Sequence, residues 1–480
     1  MDDWGLRSAT DLAEAVRSKQ VSAVELLDHF AARIEALNPL VNAVVTMDLD
    51  GARARAKELD DLLVRSGPIG PLHGLPITVK DTLETAGIRT TAGAEQLADH
   101  VPDNDADAVA RAKAAGAIVF GKTNTPPFAT DHQTYNELFG TTNNPWDTSR
   151  TPGGSSGGSA VAVAVGLTSF EIGSDIANSL RSPASHCGVF GHKPTYGLVS
   201  QRGHIPPLPG SLDEPDISVV GPLARSPDDL DLLLGVLARP PKDGSSPRIR
   251  EPRADSLDGY RLAAWFETTH FPTAPAVGDV LGSATDRLRK AGAKVDDAAR
   301  PGFSMIEARE VFNALFVAVS SANMSAEEKN ELRTHRDDEG PLGKFARNAM
   351  MTPEEWAAFD ERRQVLRARW AEFFREFDAL LCPCNPLPPI HHDQPEQRGL
   401  TRTVKVDGVS YRYFDQSVWA GVGGVAFLPG TAAPAGLTHD GLPVGFQIIG
   451  PYQEDRTCID VARRIAEVLG GYEPPPMALL

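Results

Sequence analysis

The sequence predicts an α/β protein in which helices cover a layered β-sheet, and three observations support this fold class. Helical and strand-like apolar patterns alternate over residues 8–124. Capping signals stand in front of the first helical patterns. The chain has 480 residues, 41% of them hydrophobic and 23% charged, which is typical of a globular protein that buries a large core.

The first elements are two capped helices. Ser8 is followed at the third position by Asp11, and Ser22 by Glu25, which fits the Ser-x-x-acid capping pattern. Behind Ser22 the apolar residues recur at helical spacing and predict one buried helix face. This stripe consists of Val24, Leu26, Leu27, Phe30, Ile34 and Leu37.

The next segments continue the alternation. The predicted elements are a strand over 41–47, a helix over 49–67, a strand over 76–80, a helix over 106–116 and a strand followed by a loop over 117–124. Such an alternation favours a sheet with its helices outside.

The remainder of the chain is more helical. A capped helix is predicted over 226–239 and a new strand within 253–267. Residues 276–380 predict a mostly helical, more charged layer packed over the sheet face. The proline-rich segment 382–399 lacks periodicity and is predicted to be a loop.

The charge balance limits the possible partners. The formal net charge is −17, which argues against nucleic acid and against anionic membranes as partners. No stretch of 18 apolar residues appears, and the acidic N-terminus does not resemble a signal peptide. We therefore expect a soluble cytoplasmic protein.

The cysteines and histidines give no metal motif. The two cysteines of CPC at 382–384 lack the two-residue gap of a zinc knuckle and have no matching second pair. We expect reduced, buried thiols, no metal and no cofactor. The four cysteines are Cys187, Cys382, Cys384 and Cys458.

Two serine sites and one lysine carry the chemical signal. Ser155 and Ser156 lie in GGSSGGSA, and Ser179 follows 24 residues after Ser155 in GSDIANSLRSPA. Lys80 ends the apolar run PITVK. Two serines and a lysine without a committed histidine indicate nucleophilic catalysis with lysine as the base.

Taken alone, each of these residues is also compatible with a structural role. Lys80 fits a solvated strand end, and Ser179 fits a helix N-cap. GGSSGGSA fits a flexible linker or a phosphate cradle. The apolar run 160–167 disfavours the linker, and the loop lacks the GK[ST] ending and the G-x-G-x-x-G spacing of nucleotide sites.

Several segments together resemble the amidase signature family of serine hydrolases. Besides the two serine motifs, they are GLPITVKDTLETAG (74–87), IVFGKTNTPPFA (118–129), NNPWDTSRTPGGSSGGSAVAVAVG (143–166), GHKPTYGLVSQRGHIPP (191–207) and GLPVGFQIIGPYQEDRTCIDVARRIAE (441–467). The resemblance implies one large domain over 1–480, with a mixed sheet of about eleven strands between helices. It also implies a signature core at roughly 70–225 and a helical substrate entrance at roughly 276–380.

The resemblance also assigns roles to site residues. Neutral Lys80 would draw a proton through Ser155 from the nucleophile Ser179, and burial would supply the neutral amine. A cis peptide bond is implied between Gly154 and Ser155. The oxyanion would lie against the backbone N–H groups of Ile176, Ala177, Asn178 and Ser179. Gly154, Ser156, Asp175 and Arg181 would support the site.

The chain departs from the family pattern immediately before the nucleophile. Relatives usually carry two glycines where this chain has Ala177 and Asn178, and often a Glu at the position of Pro127. Asn tolerates a positive φ, whereas Ala does so poorly. Three alternatives remain open: the loop needs no positive φ, its geometry has changed, or the Asn178 side chain donates a hydrogen bond to substrate.

The expected activity is cleavage of a C–N acyl bond in a small-molecule amide, anilide or carbamate (urethane), or in an ester. The expected protein is a cofactor-free monomer or homodimer. An apolar group on one predicted helix fits either an acyl or aryl pocket or plain helix core; it comprises Met305, Phe312, Leu315 and Phe316.

Two rival functions follow from the same residues. One is the A subunit of a glutamine-dependent tRNA amidotransferase, although RGHIPPLPGSLDEPD at 202–216 is more similar to stand-alone amidases. The other is a non-catalytic ligand-binding protein, suggested by Ala177 and Asn178.

Overall fold

Two adjoining β-sheets form the centre of the structure, a computed structural model that describes residues 4–239, 249–268, 271–322, 324–394 and 402–480. The strands are β1 (Val44–Met47), β2 (Pro76–Lys80), β3 (Ile118–Thr123), β4 (Tyr135–Asn136), β5 (Gly140–Thr141), β6 (Glu171–Asp175), β7 (Phe190–Lys193), β8 (Val219–Ala224), β9 (Arg261–Ala264), β10 (Lys294–Asp296), β11 (Ala379–Pro383), β12 (Thr403–Val406), β13 (Val409–Arg412), β14 (Gly430–Leu437) and β15 (Pro443–Ile449).

Helices pack against these sheets. They are α1 (Ala9–Arg17), α2 (Ala23–Val41), α3 (Leu49–Ser66), α4 (Asp107–Ala114), α5 (Gly157–Ala164), α6 (Arg181–Cys187), α7 (Pro227–Leu237), α8 (Pro275–Lys290), α9 (Met305–Ser320), α10 (Ala326–Thr334), α11 (Pro341–Ala349), α12 (Pro353–Glu376), α13 (Val418–Gly424) and α14 (Asp455–Leu469). The predicted α/β fold class is confirmed.

The larger sheet is mixed and has eight strands in the order β10-β9-β11-β15-β14-β7-β8-β6. The pairs β10–β9 and β9–β11 are parallel, and the other pairs are antiparallel. The smaller sheet has the order β1-β3-β2. Its edge strand β2 lies beside β6, the edge strand of the larger sheet. The two sheets together hold eleven of the described strands, and this junction places Lys80 next to β6, the strand that leads to Ser179.

The N-terminal helices begin where the capping pattern predicts. The Ser8 hydroxyl accepts a hydrogen bond from the amide of Asp11, and Ser22 and Glu25 form a complete capping box. The stripe behind Ser22 is buried except for Val24, which is partly buried. Strand β1 begins three residues later than predicted because Val41 still belongs to α2 and Asn42 ends that helix in the left-handed conformation.

The small-residue loop at 153–156 leads directly into α5, and every residue of α5 is buried. Small side chains allow this close packing: a Cβ on Gly158 would lie 2.5 Å from the backbone nitrogen of Asn124. The linker interpretation of this loop is therefore wrong.

The segment 276–380 is mostly helical, as predicted, and also contributes β10 and β11. Helix α8 packs on β14 and β15, whereas α9 packs against α11, α12 and α13. The predicted loop 382–399 overlaps the end of β11 at its first two residues and is irregular from 384 to 394; residues 395–399 lie outside the described residues.

The four cysteines are buried thiols. Among the described residues, no group of three His, Cys, Asp or Glu side chains is arranged to hold a metal ion. None of the helices in the described ranges combines the length and the apolar character needed to span a membrane.

Candidate active site

Lys80 lies at the C-terminal end of β2 with its side chain fully buried. Its Nζ is 2.7 Å from the Ser155 Oγ and 3.0 Å from the Ser174 Oγ. Burial lowers the pKa of Lys80 to about 7, although the negative charges of Asp175 and Glu171 oppose this shift. A substantial share of Lys80 is therefore a neutral amine near pH 7.

Ser155 is held in a tightly packed loop. The Gly154–Ser155 peptide bond is cis, as the family resemblance implies. A Cβ on Gly154 would lie 2.7 Å from both the carbonyl oxygen of Asp131 and the amide of Gln133, so only glycine fits there. Ser155 is buried, and its hydroxyl is presented to Lys80.

Ser156 ties this loop to the segment that carries Ser179. The backbone N–H of Ser156 donates to the Ser179 carbonyl oxygen at 3.2 Å. The Ser156 hydroxyl donates to the Ser174 carbonyl oxygen at 3.2 Å and accepts from the Ser174 amide at 3.4 Å. Two loops that are distant in sequence thus meet at the lysine.

Ser179 lies between β6 and α6 and is 6% exposed. Within the described residues its hydroxyl makes no hydrogen bond, so the oxygen is available to a reacting partner. Catalytic hydrogen bonds often tighten only when substrate is bound.

Asp175 and Arg181 brace the turn around Ser179. The Asp175 carboxylate accepts from the guanidinium of Arg181 at 2.8 and 2.9 Å. It also accepts from the backbone amides of Asn178 at 2.9 Å and Leu180 at 3.0 Å. Burial would raise the pKa of Asp175, but the Arg181 charge outweighs it and holds the pKa below its usual range. The brace fixes both neighbours of Ser179.

Asn178 adopts a backbone conformation of the kind that glycine favours. Its φ is 96°, whereas Ala177 is not among the residues with positive φ. The positive φ therefore falls on the asparagine, which tolerates this conformation better than the neighbouring alanine would. This removes the reason for inferring a non-catalytic protein from the missing glycine pair.

The four predicted oxyanion donors differ in whether their N–H groups already have an acceptor. The N–H of Asn178 donates to the Asp175 carboxylate at 2.9 Å. Within the described residues, the backbone N–H groups of Ile176, Ala177 and Ser179 have no hydrogen-bond acceptor. These three N–H groups are therefore free to donate to the oxyanion of a substrate.

The side-chain N–H groups of Asn178 are engaged within the protein. Its Nδ2 donates to the Cys384 carbonyl oxygen at 2.8 Å and to the Asn385 Oδ1 at 3.1 Å. Asn385 in turn donates to the Ser182 carbonyl oxygen at 3.4 Å. This anchor joins the turn around Ser179 to the end of β11.

Sequence reasoning missed Ser174 and His204. The Ser174 hydroxyl lies between the Lys80 Nζ and the His204 Nε2, which is 2.8 Å away. Burial and the Lys80 charge lower the pKa of His204 to about 4. Ser174 lies in the quoted GSD motif, five residues before Ser179, but no spacing rule connects His204 to the lysine.

Of the two earlier alternatives for α9, helix core fits Met305, Phe312 and Leu315, which are buried, whereas Phe316 is only partly buried. Phe312 and Leu315 are buried in a cluster that also contains Ala177, and Phe316 and Ile176 pack against that cluster. The rings of Phe312 and Phe316 stack with centroids 5.7 Å apart. Another α9 side chain, that of Met305, belongs to the main core instead.

Comparisons with family profiles and with known sequences point to one family. The sequence profile of the family described as Amidase matches residues 25–459. The chain is similar to the A subunit of the glutamyl-tRNA(Gln) amidotransferase from Carboxydothermus hydrogenoformans, with 33% identity over 95% of this chain and 96% of that protein.

Solved structures show the same fold. A bacterial aryl acylamidase of the amidase signature family has a TM-score of 0.82 and 25% identity, covering 96% of each chain. The A subunit of the glutamyl-tRNA(Gln) amidotransferase from Thermotoga maritima has a TM-score of 0.74 and 25% identity, covering 98% of each chain. The chain therefore belongs to the amidase family, and it is an enzyme of the kind that acts on C–N amide bonds.

Proposed function

We propose that this protein hydrolyses a C–N acyl bond through Ser179, with Ser155 and Lys80 as a proton relay. The observation that carries the proposal is the 2.7 Å contact between the Nζ of a buried lysine and the Ser155 hydroxyl. In this position a neutral amine accepts the Ser155 proton, and Ser155 can then accept the proton of Ser179.

Acylation follows from this arrangement. The Ser179 Oγ attacks the carbonyl carbon as its proton passes to Ser155 and the Ser155 proton passes to Lys80. The oxyanion lies against the N–H groups of Ile176, Ala177 and Ser179, where each donor stabilises the transition state by about 3–4 kcal/mol. The C–N bond then breaks, the relay returns a proton to the leaving nitrogen, and an acyl-enzyme remains.

Deacylation uses the same groups in reverse. Water attacks the acyl carbon and gives its proton to the relay through Ser155. The bond to the Ser179 oxygen breaks, and Ser179 regains a proton. The acid product leaves, and Lys80 is again a neutral amine. No cofactor takes part in the proposed cycle.

We propose amides, anilides or carbamates (urethanes) with an apolar acyl or aryl group as the substrate class, and esters as a less demanding variant of the same acyl transfer. The support is the partly buried side chains of Ile176 and Phe316, which pack against the apolar cluster that contains Ala177. The fold shared with an aryl acylamidase agrees with this class.

The second candidate is the A subunit of a glutamyl-tRNA(Gln) amidotransferase. The 33% identity over 95% of the chain favours it more directly than the fold comparison favours a hydrolase. The same serine chemistry would then release ammonia from an amide for use by a partner-bound enzyme that acts on tRNA. The two candidates share Ser179 and differ in the leaving group and in the need for a partner.

One experiment tests the shared chemistry and separates the candidates. The chain is assayed with an N-aryl amide and an N-aryl carbamate that release the same chromophore, and separately with glutamine. The hydrolase proposal expects chromophore release by the chain alone, lost in Ser179→Ala and retained in His439→Ala, whose imidazole is fully exposed. Glutamine cleavage without turnover of either aryl substrate would instead support the amidotransferase candidate.

Trapping with hydroxylamine checks the acyl-enzyme. An amide and an ester with one acyl group are hydrolysed in the presence of hydroxylamine, and the ratio of hydroxamate to acid is measured. A common acyl-enzyme on Ser179 predicts the same ratio for both substrates, because the leaving group has departed before the branch. Ratios that depend on the leaving group would contradict the covalent mechanism.

A further inference from the structure

His204 is a buried imidazole that contacts the catalytic lysine through a single hydroxyl group. Its side chain is 6% exposed, and its Nε2 is 2.8 Å from the Ser174 Oγ. The Ser174 Oγ is in turn 3.0 Å from the Lys80 Nζ. Neither Ser174 nor His204 belongs to the proposed proton relay of Ser179, Ser155 and Lys80.

The partners of His204 fix its tautomer. Its Nδ1 lies 2.9 Å from the carbonyl oxygen of Pro206, and a carbonyl oxygen can only accept. The Nδ1 therefore carries the hydrogen. In a neutral ring the Nε2 is then a bare acceptor, and the only hydrogen available to it on Ser174 is that of the hydroxyl. Burial keeps the ring neutral, since the pKa of His204 is lowered to about 4.

This orientation decides what the Ser174 oxygen offers to Lys80. With its hydrogen directed at His204, the Ser174 hydroxyl can only accept an N–H from Lys80. The lone pair of the neutral amine is then left for the hydroxyl hydrogen of Ser155, which is the direction that catalysis needs. If the Ser174 hydrogen pointed at Lys80 instead, it would occupy that lone pair, and Ser155 could receive only an N–H.

We infer that His204 is a positioning residue that acts through Ser174 to hold the lone pair of the Lys80 amine on Ser155. The inference rests on the proposed function, because it concerns the same base. Asp175 and Glu171, both on β6, are the charged groups that act on Lys80. Among the described residues the hydrogen-bond partners of the Ser174 hydroxyl are Lys80 and His204, so neither carboxyl group sets the direction of the Ser174 hydrogen.

The test uses an aryl fluorophosphonate, which reports on Ser179 without knowledge of the natural substrate. The Ser179 Oγ forms an O–P bond as the P–F bond breaks, fluoride leaves, and the hydroxyl proton passes through Ser155 to Lys80. The maximal labelling rate and the half-saturating probe concentration are measured for the full chain. Ser179→Ala confirms that labelling occurs at this serine.

His204→Ala is expected to lower the maximal labelling rate about 3- to 10-fold, the factor that one hydrogen bond of ordinary strength supports. The half-saturating concentration stays unchanged, because His204 does not touch the probe. His204→Leu, which fills the space but cannot accept a hydrogen bond, repeats the loss. His204→Gln keeps an acceptor and recovers most of the rate.

The decisive comparison is made in a Ser174→Ala background. Without the Ser174 hydroxyl there is no hydrogen left to direct, so adding His204→Ala has no further effect on the rate. A purely structural role would give the same loss in both backgrounds and would overturn the inference. Equal rates for the wild type and His204→Ala would overturn it too. A wild-type chain that resists labelling would overturn the proposed function and this inference with it.

Discussion

Burial gives Lys80 the neutral form that the proposed base requires. Its ammonium form loses hydration in the interior, and the nearby carboxylates of Asp175 and Glu171 restore only part of that loss. The side chain nevertheless keeps two hydroxyl partners, Ser155 and Ser174, in either protonation state. The residue is thus kept in place in both forms that a catalytic cycle requires.

The pH dependence of the reaction follows from the Lys80 pKa of about 7. Because only the neutral amine accepts a proton, kcat/KM of the wild type is expected to rise with pH below about 7 and to level off above it. Burial raises the pKa of Glu171 to about 7, so this carboxyl group is mostly neutral below pH 7, and Glu171→Gln is expected to move the rise only slightly to lower pH. The measurement is kcat/KM for an N-aryl amide between about pH 5 and 9; a flat profile would contradict Lys80 as the base.

The same shift has a consequence for stability. Between about pH 7 and 10.5 the unfolded chain holds a proton on Lys80 that the folded chain lacks, so the free energy of unfolding rises with pH over this range. At pH 7 the burial of Lys80 therefore destabilises the folded chain. Lys80→Met is expected to raise the free energy of unfolding at pH 7 by about 1–3 kcal/mol, after the loss of two hydroxyl contacts, and to abolish activity. Urea denaturation measures it, with the exposed Lys290→Met as an unchanged control. A lower free energy of unfolding for Lys80→Met than for the wild type would contradict the destabilisation assigned to the buried lysine.

Asn178 combines a backbone and a side-chain task, and two substitutions separate them. Asn178→Gly keeps the positive φ and loses the anchor to Cys384 and Asn385, whereas Asn178→Ala loses both. An alanine in this conformation costs about 1–2 kcal/mol. We therefore expect kcat/KM to fall about 10-fold more in Asn178→Ala than in Asn178→Gly. Equal losses would mean that only the anchor matters.

At the scale of elements, the turn between β6 and α6 is held from three sides. Asp175 and Arg181 pair across the turn, and the Arg181 guanidinium also donates to Ala420 on α13 and to Gln447 on β15. The Gln447 Nε2 donates to the Trp419 carbonyl oxygen at 2.9 Å, which completes this buried network. The turn that carries Ser179 is therefore tied to four elements: β6, α6, α13 and β15.

Breaking this network is expected to destabilise the fold. Arg181→Met leaves the buried Asp175 carboxylate without its cation and is expected to lower the free energy of unfolding by about 3–5 kcal/mol. Arg17→Met removes the exposed Arg17–Glu14 pair and is expected to change it by less than about 0.5 kcal/mol. Both are measured by urea denaturation at one pH. Similar small losses for the two variants would show that the brace does not stabilise the fold.

At the scale of the whole molecule, local signals predicted most of the elements but not their assembly. Capping signals and helical patterns predicted α1, α2, α3 and α4 to within a few residues, because these signals are local in sequence. The order of the eight strands depends on contacts between distant segments, such as β14 with β7. Periodicity carries no information about such pairings.

The residues of the site also differ in whether the sequence could predict them. Ser155, Ser179 and Lys80 could be proposed as a group because their motifs resemble a known family, and the structure brings Lys80 and Ser155 into contact. His204 and Asn385 were not, because each acts through one side chain of a distant segment, Ser174 in the first case and Asn178 in the second. The positive φ at Asn178 could be proposed from its residue type but was settled only by the folded turn.

Lys80, Ser155 and Ser179 lie on one chain, and the hydrolase proposal therefore expects the purified protein to work unaided. Mixing it with an excess of N-aryl amide should release about one equivalent of aryl amine per chain in the first turnover. With a net charge of −17, it is also expected not to shift tRNA in a mobility assay at about 0.15 M salt. Activity that appears only with added amidotransferase partners, together with tRNA binding by that assembly, would decide for the second candidate function.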